Sequence, residues 1–357
     1  MALLECVAYY LGQFHPNPEN DRFWGEGFTE WHNVARARPL YPGHEQPKLP
    51  GKLGFYDLRL DETLAAQIDY AQEVGVTAFC FWHYWFAGKR LLHRPLDEML
   101  RLQHPHFRFM LGWANESWSG IWHGNPHRVL VEQIYGTEEI REHAALLAGY
   151  IDSGRYINVD GRFPFVIYKP RQIPDARTYL GRLREEVERI NGAKLCLIGN
   201  WSPGRKAEFS DPEEYGLDAA VITPAAAYFP SRTLSNAYRL MWMTLRRLGI
   251  GPEILPYRSV TATLRRGFQS VRGPAHATVV TGWDNTPRSG RRGLVLSGYN
   301  ERSFRRAAAA ALALERRNAS PLLFIKSWNE WAEGNVLEPL FNERWSAGSE
   351  LRAVLDS

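Results

Sequence analysis

Glu330 and Glu333 stand three residues apart in the stretch Ser327-Trp328-Asn329-Glu330-Trp331-Ala332-Glu333-Gly334, flanked by two tryptophans and an asparagine. Paired carboxylates among aromatic rings suit glycosidic bond cleavage. One protonates the leaving oxygen, and the other acts as base or nucleophile. Trp328 and Trp331 can supply dry surroundings that raise the pKa of the proton donor. In retaining double-displacement chemistry the two carboxyls sit about 5–5.5 Å apart, which an i, i+3 pair reaches if its loop turns. Glu116 is the alternative second carboxylate, while Glu26 and Glu30 read as hydroxyl binders or loop anchors.

Something must hold that pair in place. It follows Leu322-Leu323-Phe324-Ile325, a run of the right length for a strand buried on both faces. Seven similar runs precede it: 6–10, 76–81, 109–113, 163–168, 195–198, 219–222 and 278–281. Helical patterns fall between them. Leu64, Ile68, Ala71 and Val74 share one face, and Ile140, Ala144, Leu147 and Ile151 another, with Thr137 as the expected N-cap. Leu180 to Ile190 stops at Asn191-Gly192. A helix is expected near 238–248, and an Ala-rich one over 301–317; the segment 231–273 is otherwise the least regular. Eight strand–helix repeats predict a single (β/α)8 TIM barrel with long βα loops over residues 1–357. A doubly wound sheet is disfavoured, because no Gly-rich phosphate turn follows the first strand.

In such a barrel the active site forms from the loops after the strands. Of the thirteen tryptophans, Trp24, Trp31, Trp82, Trp85, Trp113, Trp118, Trp122, Trp201, Trp283, Trp328 and Trp331 fall at strand ends or in those loops. This clustering suits a groove that stacks sugar rings, although some of these side chains are expected merely to plug the barrel mouth. The residues expected to bind substrate are Tyr10, His15, Trp24, Glu26, Trp31, His83, Tyr84, Trp85, Trp113, Asn115, Glu116, Trp118, Trp283, Asn329 and Trp331. Asn200, Asp284 and Asn285 belong to the same polar rim.

Other chemistries find less support. His15, His83, His123 and His127 lack HxH or HExxH spacing, so no metal or other cofactor is expected. No GxSxG elbow offers a serine nucleophile. The net charge of +4 is spread out, with Arg291-Arg292 and Arg305-Arg306 as solvated surface, which argues against a nucleic-acid partner. Cys6, Cys80 and Cys196 read as free thiols in apolar runs. No run approaches a membrane span, and no signal peptide is visible, so the sequence as it stands reads as cytoplasmic.

Five segments together carry a resemblance: Tyr9 to Pro16, Trp24 to Trp31, Phe81 to Phe86, Gly112 to Trp118, and Ser327 to Gly334 with Leu337-Glu338-Pro339. In these the chain is similar to the WbsX-like proteins of bacterial polysaccharide loci, within the wider glycoside hydrolase family 99-like superfamily. Family 99 proper comprises retaining (β/α)8 endo-α-mannosidases and mannanases. Their acids lie in an Asn-Glu-Trp-His-Glu-Gly stretch that maps onto Asn329 to Gly334, with Ala332 in place of histidine. The resemblance implies that Glu330 deprotonates the sugar 2-hydroxyl, which attacks C1 to give a 1,2-anhydro sugar. Glu333 would protonate the leaving oxygen and then activate water. The expected function is an endo-acting, retaining hydrolase of a bacterial surface or exopolysaccharide. A glycosyltransferase of O-antigen or lipopolysaccharide assembly and a silent glycan-binding module are the alternatives.

Overall fold

The computed structural model describes residues 3–102, 104, 106–120, 125–202, 211–224, 240, 241, 244, 245 and 247–357. Its centre is a ring of parallel strands: β1 (Glu5–Tyr10), β2 (Ala78–Phe86), β3 (Arg108–Trp113), β4 (Arg162–Ile167), β5 (Lys194–Trp201), β6 (Ala219–Ile222), β7 (Ala275–His276 and Thr278–Val280) and β8 (Leu322–Lys326). Each pairs in parallel with the next, and β8 returns to β1 with Cys6 opposite Leu323 and Val7 opposite Phe324. β7 closes the ring in two halves. Ala275–His276 pairs with β6, and Thr278–Val280 pairs with β8. The break is knitted by the buried Glu315, whose carboxylate accepts from the backbone N–H groups of Ala277 and Leu322, both at 2.8 Å, and lies 2.8 Å from His276 Nδ1. Every residue of β1 is buried, as expected where helices cover the outside and side chains fill the inside. This is the predicted barrel, with each strand within a few residues of its expected place.

The helices are α1 (Pro18–Trp24), α2 (Trp31–Arg36), α3 (Asp61–Glu73), α4 (Arg94–Arg101), α5 (Thr137–Asp152), α6 (Ala176–Asn191), α7 (Tyr257–Ser270), α8 (Thr286–Ser289), α9 (Glu301–Glu315) and α10 (Ala347–Leu355). Gly192 ends α6 in the left-handed region, as predicted. Thr137 is the first helical residue rather than the N-cap, a place taken by Gly136. Of the helix expected near 238–248, the described residues 240, 241, 244, 245 and 247 are helical.

α7 falls in the segment that looked least regular. Its buried face includes Thr263 and Gly267 beside Tyr257, Val260 and Leu264, which weakens the apolar period. Gly267 is required there, because a Cβ would lie 2.5 Å from the Trp201 ring. The three cysteines are free. Among the described residues, no helix is long and apolar enough to cross a membrane.

Candidate active site

The chain leaves β8 through a cis Lys326–Ser327 peptide, and Asn329–Glu330 then pairs antiparallel with Asn335–Val336. Between them Trp331–Glu333 makes one 3-10 turn, ended by Gly334 with φ +58°. A Cβ at Gly334 would lie 2.9 Å from Asp284 Cβ, so close packing and left-handed backbone both call for glycine. This tight return points Glu330 and Glu333 toward one guanidinium. Arg288, on α8 after β7, places Nη2 3.3 Å from Glu330 Oε2, Nη1 2.5 Å from Glu333 Oε1, and Nε 3.1 Å from Glu30 Oε2. Lys326 Nζ lies 3.9 Å from Glu330 Oε1.

The pair opens onto a cavity of about 380 Å³ at the C-terminal end of the barrel. All eight strand ends contribute to its wall. Tyr9 and Leu11 come from β1, Trp82 and Tyr84 from β2, and Glu116 and Trp118 follow β3. Tyr168 and Lys169 follow β4; Asn200 and Thr223 belong to the ends of β5 and β6; Trp283 and Arg288 follow β7. Lys326 Nζ stands among three rings, 5.6 Å from that of Trp82, 5.8 Å from Tyr9 and 5.9 Å from Trp283, within cation–π range. A larger hollow of about 690 Å³ lies between α7 and α9, but among the described residues no carboxylate lines it. The acid pair belongs to the smaller one.

Burial and then the neighbouring Glu330 charge push the Glu333 carboxyl up to about 7, against the opposing pull of Arg288 and Lys326. A carboxyl of that pKa can hold a proton at neutral pH and give it away. Burial disfavours the Arg288 charge, but Glu30, Glu333 and Glu330 outweigh it and raise the guanidinium above its ordinary value. Burial and Glu330 also raise the Tyr84 phenol.

Of the residues expected to bind substrate, Tyr84, Glu116, Trp118 and Trp283 line the cavity beside Glu330 and Glu333. Glu116 sits 3.6 Å from Lys169, away from the Arg288 cluster. Most of the others are held in packing. Tyr10 donates to Gln67, and Trp331 donates at 2.6 Å to Glu338, which also accepts from Tyr56 and Gln67. Asn329 brackets Leu11, accepting from its N–H and donating to its carbonyl, so it ties β1 to the loop after β8. Asn115 does the same for Lys169. Trp85 donates to Glu139 at 2.7 Å, Trp113 reaches the Trp85 carbonyl at 3.4 Å, and His83 Nε2 lies 3.1 Å from His143 Nε2. His15 is buried away from the cavity, and burial pushes its pKa down to about 4.

In the first loop, Trp31 donates to the Tyr56 carbonyl and packs on Trp331. Trp24 packs on Phe28, and Glu26 is exposed. Trp122 and His123 lie outside the described residues. Asp284 is a loop clamp: Gln46 donates to it at 2.7 Å, and His44 Nε2 lies 2.7 Å away.

The structure adds residues absent from the expected substrate-binding set: Tyr9, Trp82, Tyr168, Lys169, Arg288 and Lys326. Lys169 and Lys326 stand at strand ends, where the barrel rule could have found them. Arg288 had no such signal among many surface arginines.

A family model described as glycosyltransferase WbsX matches residues 6–346. The uncharacterized protein WxcX of Xanthomonas campestris pv. campestris is 37% identical over 345 residues, covering 93% of this chain and 47% of the relative, in each of two strains. The chain therefore spans about half the length of the curated relatives it matches. Among solved structures, the GH99 endo-alpha-mannosidase from Bacteroides thetaiotaomicron aligns with a TM-score of 0.61 and 17% identity over 99% of this chain and 98% of that one. A glycoside hydrolase-like protein aligns with a TM-score of 0.61 and 13% identity over 100% and 94% of the two chains. At such identities the likeness establishes a shared fold. Matched nearly end to end by the family model, the chain belongs to the WbsX glycosyltransferase family, and its barrel fold is shared with those solved structures.

Proposed function

We propose that this protein is a glycoside hydrolase, endo-acting and retaining, that cleaves a bacterial surface polysaccharide or exopolysaccharide with residues 1–357 acting as one catalytic barrel. The observation that carries this reading is the buried Glu330–Glu333 pair, bridged by Arg288 at the wall of an aromatic cavity, with Glu333 pushed up to about 7. Two unlike carboxyls facing one space are what acid and base need. Glu330, faced by both Arg288 and Lys326, serves as the base on the sugar 2-hydroxyl. Glu333 serves as the acid on the leaving oxygen and then activates water. Tyr84, Trp118 and Trp283 hold the sugar rings.

The test is incubation of wild type and Glu333→Gln with bacterial O-antigens, exopolysaccharides and α-mannans, with products followed by mass spectrometry. New oligosaccharides from wild type alone are the expected result. Equal products from both proteins would sink the assignment. The family's description favours a second reading, a glycosyltransferase. It predicts calorimetric binding of a nucleotide sugar, and product only when that donor is present. Stoichiometric glycan binding without product under either condition would point to a non-catalytic module.

A further inference from the structure

Arg288 is the hub of charged side chains drawn from three parts of the chain. Glu30 comes from the loop after β1, Glu330 and Glu333 from the turn after β8, and Arg288 from α8. Its side chain is 4% exposed, so these charges meet where water screens little. The turn carrying Arg288 is tied down next to it. Asp284 Oδ1 accepts from the backbone N–H and hydroxyl of Thr286, and Asn285 Oδ1 accepts from the Leu294 N–H.

Among the described residues, three carboxylates, Glu30, Glu330 and Glu333, face two cations, Arg288 and Lys326. The buried group is balanced when one carboxyl carries a proton. Glu330 lies within 4 Å of both cations and Glu333 of Arg288 alone, so that proton belongs on Glu333. Tyr84 from β2 faces the same space, with Glu116 and Lys169 as a separate pair elsewhere on the wall.

We propose that Arg288 is the positioning residue that divides the acid and base roles of Glu333 and Glu330, holding both carboxyls on one side of the cavity and keeping the pair singly protonated near neutral pH. Glu30 is its counter-anchor: it draws Nε away from the pair and adds the negative charge that favours the proton on Glu333. The inference rests on reading the pair as acid and base, and it makes predictions of opposite sign for its two ends. Loss of the guanidinium raises the carboxyl titrations. Loss of the Glu30 charge lowers them.

The experiment is a carbon-detected NMR titration of glutamate carboxyls in wild type, Arg288→Met, Arg288→Lys and Glu30→Gln. Glu330→Gln and Glu333→Gln assign the two signals. Arg288→Met should move both steps of the pair up by about one to three pH units, the usual reach of an opposite charge at this distance. Arg288→Lys should move them up by less, and Glu30→Gln should move them down. Unmoved steps in folded Arg288→Met would overturn the proposal. If that variant does not fold, Arg288→Lys and Glu30→Gln decide it, because shifts of the same sign, or none, are incompatible with the assigned roles. The pH profile of kcat/KM should follow the same directions, whereas a merely structural arginine would lower the profile without moving it. The titration needs no glycan, so an absence of cleavage would count against the hydrolase reading and leave this test standing.

Discussion

Two buried glutamates beyond β8 share a displaced pKa but meet different partners. Burial pushes Glu333 and Glu338 each up to about 7. Glu338 is met by neutral donors from Trp331, Tyr56 and Gln67, which fill its oxygens inside the packed wall. Glu333 is met by another carboxylate and by Arg288, and it faces the cavity. Glu139, also raised to about 7, belongs with Glu338, since Trp85 and Tyr179 occupy its oxygens. A displaced pKa therefore does not by itself mark catalysis. Facing an open space beside a second carboxyl distinguishes Glu333, while satisfied hydrogen bonds mark the others as structural.

The largest expected effect separates the two directly. Glu333→Gln and Glu330→Gln should each lower turnover by about 10³-fold, within the usual range for a lost acid or base. Both should keep wild-type melting temperatures and glycan binding, measured by calorimetry. Near-normal turnover in both would erase the distinction.

Glu338→Ala should do the reverse. It leaves Trp331, Tyr56 and Gln67 without an acceptor, at about 1–3 kcal/mol for each buried group, so urea unfolding should show a loss of roughly 3 kcal/mol or more. The folded fraction should still bind glycan.

pH sharpens the comparison further. Burial pushes the Glu338 carboxyl up to about 7 in the folded chain, from its ordinary 4.5 when unfolded. The folded state then holds the extra proton between those values. Its contribution to stability is full below about 4.5, falls through the window, and is lost above about 7, with a slope of at most about 1.4 kcal/mol per pH unit. Unfolding free energies of Glu338→Gln should lack that slope relative to wild type. Identical pH dependence in the two would mean that Glu338 is not displaced.

The smallest effect is expected at Lys169→Ala. Its pair with Glu116 is partly exposed and should contribute no more than about 1 kcal/mol to stability. Because Lys169 lines the cavity, glycan binding should weaken several-fold. Unchanged affinity would place the glycan elsewhere on the wall.

The carboxylate pair of the proposed site is legible because type and spacing both survive in a linear string: two glutamates, three apart, after an apolar run. The wall of the cavity is less so. Trp113, Trp331 and Asn329 occupy the right segments but point into packing, because side chains alternate sides along a strand and a loop's turns decide the rest. Trp82 and Trp85 show the rule within one strand. Trp82 lines the cavity, whereas Trp85, three positions on, faces Glu139 behind the wall.

By itself, the sequence determined the eightfold alternation of strand and helix, since burial on both faces writes continuous apolar runs and amphipathic helices write a 3.6-residue period. It also determined the glycines that its tightest turns need, such as Gly192 after α6 and Gly334 after the acid pair. Tertiary structure alone decided that Arg288 would reach Glu30 and Glu330 across 258 and 42 residues of chain. An arginine's partners depend on where other elements end in space. No local pattern encodes a charge balance assembled from three separate loops.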